Sequence, residues 1–125
     1  MLLDSNIVIY AAEAEHEELR DFIDRHSPAV SIITHVEVLG FWRIGEEKRV
    51  VYEEFFAVAE KLPLSHRVAE QAIHLRQQRR IGLGDSIVAA TALVHGEPLA
   101  TRNTRDFRWI PGLTLVNPVD ADWRG

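Results

Sequence analysis

Short apolar runs alternate with longer amphipathic stretches along this chain, and several of the runs end on a polar or acidic residue. Met1-Leu2-Leu3 leads into Asp4-Ser5-Asn6, and Ile7-Val8-Ile9-Tyr10 follows. This predicts a buried strand ending at Asp4 and a helix starting just after it. Glu13 to Arg25 carries Leu19, Phe22 and Ile23 at helical spacing among charges. It reads as a surface helix with a solvated charged face, with His16 and His26 as surface residues. Ser27-Pro28 breaks the chain, and Ala29 to Ile33 is a second buried strand. Thr34-His35-Val36-Glu37 opens a helix running through Trp42, and its Thr-x-x-Glu spacing is that of a capping box. Glu46 to Ala59 predicts a charged helix with Val50, Val51, Phe55 and Phe56 inward. Lys61 to Leu64 reads as a brief strand, placed at a sheet edge by Pro63. Ser65 caps a helix reaching Arg80, with Val68, Ala72, Ile73 and Leu75 inward.

Gly82-Leu83-Gly84-Asp85 then turns the chain into Ser86-Ile87-Val88-Ala89-Ala90-Thr91-Ala92, a helix with almost no polar face. Such a helix is covered on all sides, and its alanines let neighbours approach closely. Asp85 stands at its start, where an aspartate caps free N–H groups. Gly96-Glu97 leads to a strand at Pro98 to Thr101. A loop with Arg102, Asn103, Arg105, Asp106 and Arg108 follows, and polar loops directly after buried strands often carry function. Pro111-Gly112 turns into a last strand, Leu113 to Val116. The tail from Asn117 to Gly125 is polar apart from Val119 and Trp123 and receives no role.

Alternating strands and helices predict an α/β fold with a parallel sheet. At 125 residues the chain is expected to form a single domain, 1–125, with its core at about 2–116. It has no cysteine, which excludes disulfides and thiolate metal sites. No apolar run reaches membrane-spanning length and no leader opens the chain, so a cytoplasmic location is expected. A net charge of −5 weighs against a nucleic-acid binder that relies on bulk charge, but not against a local basic track.

Asp4, Glu37, Asp85 and the Asn103/Asp106 loop all fall at strand ends or at the helix starts beside them. In a parallel sheet those positions share the carboxyl edge, where α/β folds place ligands. Each acid alone has a plainer reading as a helix cap. Gathered on one edge they repel one another and call for a cation. All-oxygen ligands favour Mg2+ or Mn2+, and phosphodiester hydrolysis is the natural chemistry of such a site. Arg102, Arg105 and Arg108, with Arg79 and Arg80 before the Gly82 turn, are candidates for holding phosphates or for surface ion pairs.

Leu-Leu-Asp-Ser-Asn at the start, the Glu37 helix, Gly-Asp-Ser-Ile-Val-Ala-Ala and Thr-Arg-Asn-Thr-Arg-Asp-Phe together resemble a PIN-domain ribonuclease of the VapC toxin type. The likeness runs from Leu2 to about Val116. It implies a three-layer fold with a central, mainly parallel sheet flanked by helices. It also implies an endoribonuclease using Mg2+ or Mn2+, restrained by a VapB-type antitoxin and commonly dimeric. Carried over by position, the acids are Asp4, Glu37, Asp85 and Asp106, with Asn6, Thr101 and Asn103 as supporting polar groups. Asn103 competes with Asp106 for the fourth position. Phe41, Trp42, Phe55 and Phe56 are candidate partner surface, or else core. A catalytically silent PIN fold acting as a binding module is the alternative. A phosphoacceptor module is disfavoured because the only lysines, Lys48 and Lys61, are misplaced. Asp4-Ser5-Asn6 lacks the Asp-x-Asp of haloacid-type phosphatases, and no Gly-rich loop ends in Lys-Ser or Lys-Thr.

Overall fold

Leu2 and Leu3 set the architecture. They form β1 (Leu2–Leu3), the middle strand of a five-stranded sheet, and successive side chains of a strand point to opposite faces. Leu2 packs with Leu99, Val68, Leu75, Val88 and Phe107 on one face. Leu3 packs with Val30, Ala100, Ile7, Phe22 and Phe56 on the other. Both faces are therefore apolar, and each is covered by helices, giving three layers. The computed structural model describes residues 1–119, so Trp123 and the rest of the tail lie outside the described residues.

After β1 come α1 (Ser5–Ala11), α2 (Glu17–His26), β2 (Ala29–Ser31), α3 (Ile32–Leu39) and α4 (Glu46–Val58). Then follow β3 (Lys61–Leu62), α5 (His66–Gln78), α6 (Leu83–His95), β4 (Leu99–Ala100), α7 (Thr104–Phe107) and β5 (Leu115–Val116). The strand order is β3-β2-β1-β4-β5, and every neighbouring pair is parallel. Leu3 is in register with Val30 and with Ala100. One residue further on, Asp4, Ser31 and Thr101 stand level at the carboxyl edge. The expected edge position of the Lys61 strand is observed, with Pro63 just beyond it.

Several boundaries differ from the expectation, each for a local reason. The second strand stops at Ser31 rather than Ile33, because the Ser31 hydroxyl accepts a bond from the Ile33 amide (3.2 Å) and starts the helix there. The expected Thr34 cap is thus absent, and Thr34 lies inside α3. That helix stops at Leu39, so Phe41 and Trp42 sit in a loop, 54% and 79% exposed. Glu13 to His16 is not helical: Arg20 Nη1 donates to the carbonyls of Ala11 (2.9 Å) and Glu13 (2.7 Å) and holds a turn there. The α5 helix ends at Gln78 rather than Arg80, with Arg79 extended at its end. Asp85 is not the cap of α6; Gly82 is, and Asp85 lies in the first turn.

Three residues expected inward point outward. On α4 the buried stripe is Tyr52 and Phe56, one turn apart, while Val50 and Val51 are exposed and Phe55 is half-buried. On α5, Val68, Ala72 and Leu75 are buried and Ile73 is 56% exposed. The α6 helix behaves as its composition requires, with every residue from Ser86 to Ala92 buried. Its two polar members are satisfied within the helix: Ser86 Oγ donates to the Leu83 carbonyl (2.7 Å) and Thr91 Oγ1 to that of Ile87 (2.6 Å).

Fully buried Ala89 leaves no room for extra methylenes, so Ala89→Leu is expected to destabilise the protein by about 1–3 kcal/mol through overpacking. Ile73→Ala, on the exposed face, should stay within roughly 0.5 kcal/mol of the parent. Urea unfolding of the two variants measures both, and equal losses would contradict the burial pattern.

Candidate active site

The site is built where the parallel strands end. Asp4 follows β1, donates its backbone N–H to the Ala100 carbonyl (2.9 Å) and is only 4% exposed. It holds the N-cap position of α1, yet its side chain makes no capping bond. Instead Asp4 Oδ2 accepts from the hydroxyl of buried Thr101 (2.9 Å), one residue past β4. Thr101 Oγ1 in turn accepts from the Asn103 amide (3.0 Å). Asn103 thus acts on Asp4 through its backbone, by way of Thr101.

Glu37 arrives on the exposed side of α3. Its Oε1 accepts from Ser5 Oγ (2.9 Å), and Ser5 Oγ lies 3.0 Å from Thr34 Oγ1. The Glu37 carboxylate rests against Gly84 in the first turn of α6, beside Asp85. Asp106 sits on α7, its amide bonded to the Asn103 carbonyl (3.0 Å). Asn6 is the second residue of α1 and half-buried.

Electrostatics links these segments. Burial raises the Asp4 carboxyl above its ordinary value, and the charges of Glu37 and Asp106 add to the rise. The bonds from Thr101 and the Ser5 amide pull it partly back. Asp85 is pushed up to about 6, first by burial and then by Asp4, Glu37 and Asp106. Four acids from four separated segments therefore feel one another, and the charge of Asp106 reaches both buried members. Among the described residues no basic side chain forms an ion pair with any of the four.

Carboxylates at a partly desolvated edge with no paired cation form an oxygen donor set that fits a hard divalent metal. The four do not close into a cage. Among the described residues, the only three acidic or imidazole groups with ligand atoms all within 4.8 Å are Glu13, Glu15 and His16. That trio sits on the α1–α2 turn, where His16 already lies 3.8 Å from Glu13 and 3.1 Å from Glu18. A partly open set is what mutual repulsion produces in four uncompensated acids.

The basic residues ring this edge. Arg102 stacks its guanidinium 4.5 Å from the centre of the Tyr10 ring. Arg102, Asn103, Arg105, Asp106 and Arg108 line one cleft. Arg79 lies 5.5 Å over Trp109, whose indole N–H donates to the Asp106 carbonyl (3.0 Å). Arg80 is exposed beyond the end of α5. The two lysines serve the scaffold: Lys48 Nζ donates to the Ala12 carbonyl (3.1 Å) and Lys61 Nζ to that of Ala59 (3.2 Å).

A family model described as the PIN domain matches residues 1–113. The chain belongs to the PIN-domain family. Among curated proteins it is similar to Ribonuclease VapC1 of Rickettsia felis, 40% identical over 47 residues, which is 38% of this chain and 35% of that protein. It is also similar to the tRNA(fMet)-specific endonuclease VapC of Salmonella typhimurium, 27% identical over 136 aligned positions covering 98% of this chain and 96% of that one. Among solved structures it resembles a chain of a toxin-antitoxin complex from Klebsiella pneumoniae, with a TM-score of 0.75, 31% identity, and 95% and 98% of the two chains covered. DNA-bound VapBC from Salmonella typhimurium shares the fold, with a TM-score of 0.83 at 24% identity over 94% and 96% of the chains.

Sequence reasoning located the acids of this PIN domain but overlooked how Glu37 is held. Ser5 appeared only as part of the first motif, Thr34 only in a capping box, and Gly84 only as part of a turn. The available signal was a glycine inside a helix, where it is unfavourable by about 1 kcal/mol relative to alanine.

The raised Asp85 carboxyl ties stability to pH. Its folded pKa of about 6 exceeds the ordinary 3.8, so the folded state binds the proton more tightly. The resulting stabilisation is complete below about pH 3.8 and is lost as pH rises through about 6. Between pH 7 and pH 4.5 metal-free protein should gain about 1–2 kcal/mol from this group, solvent at the open edge screening part of the effect. Asp85→Asn should remove that increment from the pH profile of Tm, and identical profiles for parent and variant would contradict the coupling.

Proposed function

We propose that this PIN domain is an endoribonuclease that depends on Mg2+ or Mn2+ and serves as the toxin of a toxin–antitoxin pair. The observation that carries the reading is the set of four mutually repelling acids, Asp4, Glu37, Asp85 and Asp106, with no cation among their partners. The ribonuclease and endonuclease relatives support the reaction class.

Asp4 and Asp85 would hold the cation from the buried side, with Glu37 and Asp106 closing from the solvent side. When bound, such a cation lowers the pKa of a water molecule and offsets charge on the scissile phosphate. Thr101 restrains the rotation of the Asp4 carboxylate through its bond to Oδ2. Arg102 and Arg105 present guanidinium forks for phosphates on the Asp106 side, and Arg79 and Arg80 extend that track from the end of α5. Stacking on Tyr10 and Trp109 holds Arg102 and Arg79 in place before RNA arrives.

The toxin–antitoxin relatives support a protein partner. A groove of about 770 Å³ runs between the α1–α2 pair and α4, lined by Val8, Ile23, Val51, Tyr52, Phe55 and Val58. Its size and apolar lining suit an amphipathic helix of a VapB-type antitoxin. Phe56, read as inward on its helix and also weighed as partner surface, is 2% exposed and belongs to the core. Phe41 and Trp42 stand clear of the core and are the candidate face for a homodimer. No helix among the described residues is long and apolar enough to cross a membrane, and an RNA substrate places the work in the cytoplasm.

Purified protein is expected to cut RNA with Mg2+ or Mn2+ and to stop on chelation. Asp4→Asn and Asp85→Asn should each lower the rate about a hundredfold while remaining folded. RNA binding without cleavage under any metal would instead make the chain a silent binding module. Arg102→Ala or Arg105→Ala should weaken binding and reduce the slope of log affinity against log salt by about one each. A salt slope equal to that of the parent would remove those arginines from the RNA track.

A further inference from the structure

Glu37 differs from the other acids of the site in how it is held. Asp4 is buried and Asp85 half-buried, whereas Glu37 is exposed on a long side chain and would lose the most freedom on binding a cation. Two contacts define its place. Ser5 Oγ lies 2.9 Å from Glu37 Oε1 and 3.0 Å from Thr34 Oγ1. A hydroxyl has one proton, and a carboxylate can only accept, so Ser5 donates to Glu37 while Thr34 donates to Ser5. Thr34 is fully buried, which anchors this short relay to the core.

The other contact is steric. A Cβ on Gly84 would lie 2.5 Å from Glu37 Oε2, 3.0 Å from its Cδ and 3.2 Å from Oε1. These are the closest atoms to that point, and all belong to the tip of a flexible side chain. A methyl group at position 84 would therefore leave α6 intact and move Glu37. The backbone gives glycine no other reason to be there: Gly84 is in ordinary helical conformation, and its φ is not among the positive ones. Glycine in a helix is disfavoured, so its presence here needs a contact that a larger residue would break.

We infer that Gly84 and Ser5 are positioning residues that hold the Glu37 carboxylate beside Asp85, Gly84 by leaving space and Ser5 by donating a hydrogen bond. The inference rests on the metal-site reading above and extends it to residues that are not themselves ligands. It makes the spacing of Gly84 and Asp85 functional: the glycine admits the acid of one helix to the acid of the next.

The test is a double-substitution cycle on the full chain with Mn2+ as the probe. Gly84→Ala should lower Mn2+ affinity, read by calorimetry, by about tenfold, as loss of a group orienting a metal ligand does. In a Glu37→Ala background, where nothing remains to clash, the same substitution should leave Mn2+ affinity unchanged. Ser5→Ala should also weaken Mn2+ binding, and Ser5→Thr, which keeps the hydroxyl, should restore it. The same cycle read as Tm without metal separates this inference from the metal site. Gly84→Ala should raise Tm more in the Glu37→Ala background than in the parent, because only there is the helix gain of alanine free of the clash. Equal effects of Gly84→Ala in both backgrounds, on Tm and on Mn2+ affinity, would overturn the positioning role. A parent that binds no Mn2+ while the Tm cycle still shows coupling would overturn the metal site and leave the Gly84–Glu37 contact standing.

Discussion

Like charge held together at a partly desolvated edge is the constraint on which the rest of this molecule depends. Asp4 and Asp85 are both raised first by burial and then by neighbouring acids, Glu37 and Asp106 acting on both and Asp4 also on Asp85, so folding the metal-free chain works against that repulsion. The Asp85 carboxyl is pushed up to about 6, and the burial of large aliphatic side chains nearby offsets what that costs at neutral pH. The two-faced sheet supplies many such burials around the site. Leu2, Leu3 and Leu99 are fully buried within two residues of Asp4 or Thr101. The strands can therefore be only two or three residues long, because packing on both faces, rather than ladder length, fixes the register that brings Asp4 level with Thr101.

That geometry explains what could be read from the sequence and what could not. The acids at the carboxyl edge were legible because each follows a short apolar run or opens a helix, and the parallel topology brings those positions together. The caps were not. Thr34 and Asp85 both looked like helix starts, and in both cases the helix begins three residues earlier, at Ser31 and Gly82. Asp85 then lies nearly one turn inside α6, about 300° around the axis from Gly82, and so keeps the side of the helix that the cap faces. Glu37 lies six residues past the Ser31 cap, in the second turn of α3.

The misread inward faces have a different origin. On α4 both Val50-Val51 and Tyr52-Phe56 offer apolar spacing, and periodicity alone does not rank them. The aromatic pair buries more area and takes the core, which leaves Val50 to solvent and Val51 to the groove between α4 and the α1–α2 pair. Contacts across long sequence separation were the least legible. Nothing local to Ser5, Glu37 or Gly84 announces that the three meet, since they come from α1, α3 and α6. Ser5 and Gly84 stand inside motifs that carry the family likeness, but a motif read along the chain does not show which side chains meet across it.

The acidic balance of the chain also reads differently once the site is in view. Nineteen acids against fourteen basic residues looked unfavourable for a protein that handles RNA. Four of those acids are the edge cluster, and a divalent cation bound there would offset half of its charge. The remainder is close to neutral, and its basic members are not evenly spread. Arg102, Arg105 and Arg108 share one cleft with Asp106, and Arg79 is tied to the same loop through Trp109. A phosphate chain that entered this cleft would meet its guanidinium groups together with the Asp106 carboxylate. At physiological salt the Debye length is about 8 Å, so this local arrangement of charges governs the encounter more than the total does. The negative sign of the whole chain thus rests largely on the edge cluster, and it carries little information about the surface around the arginines.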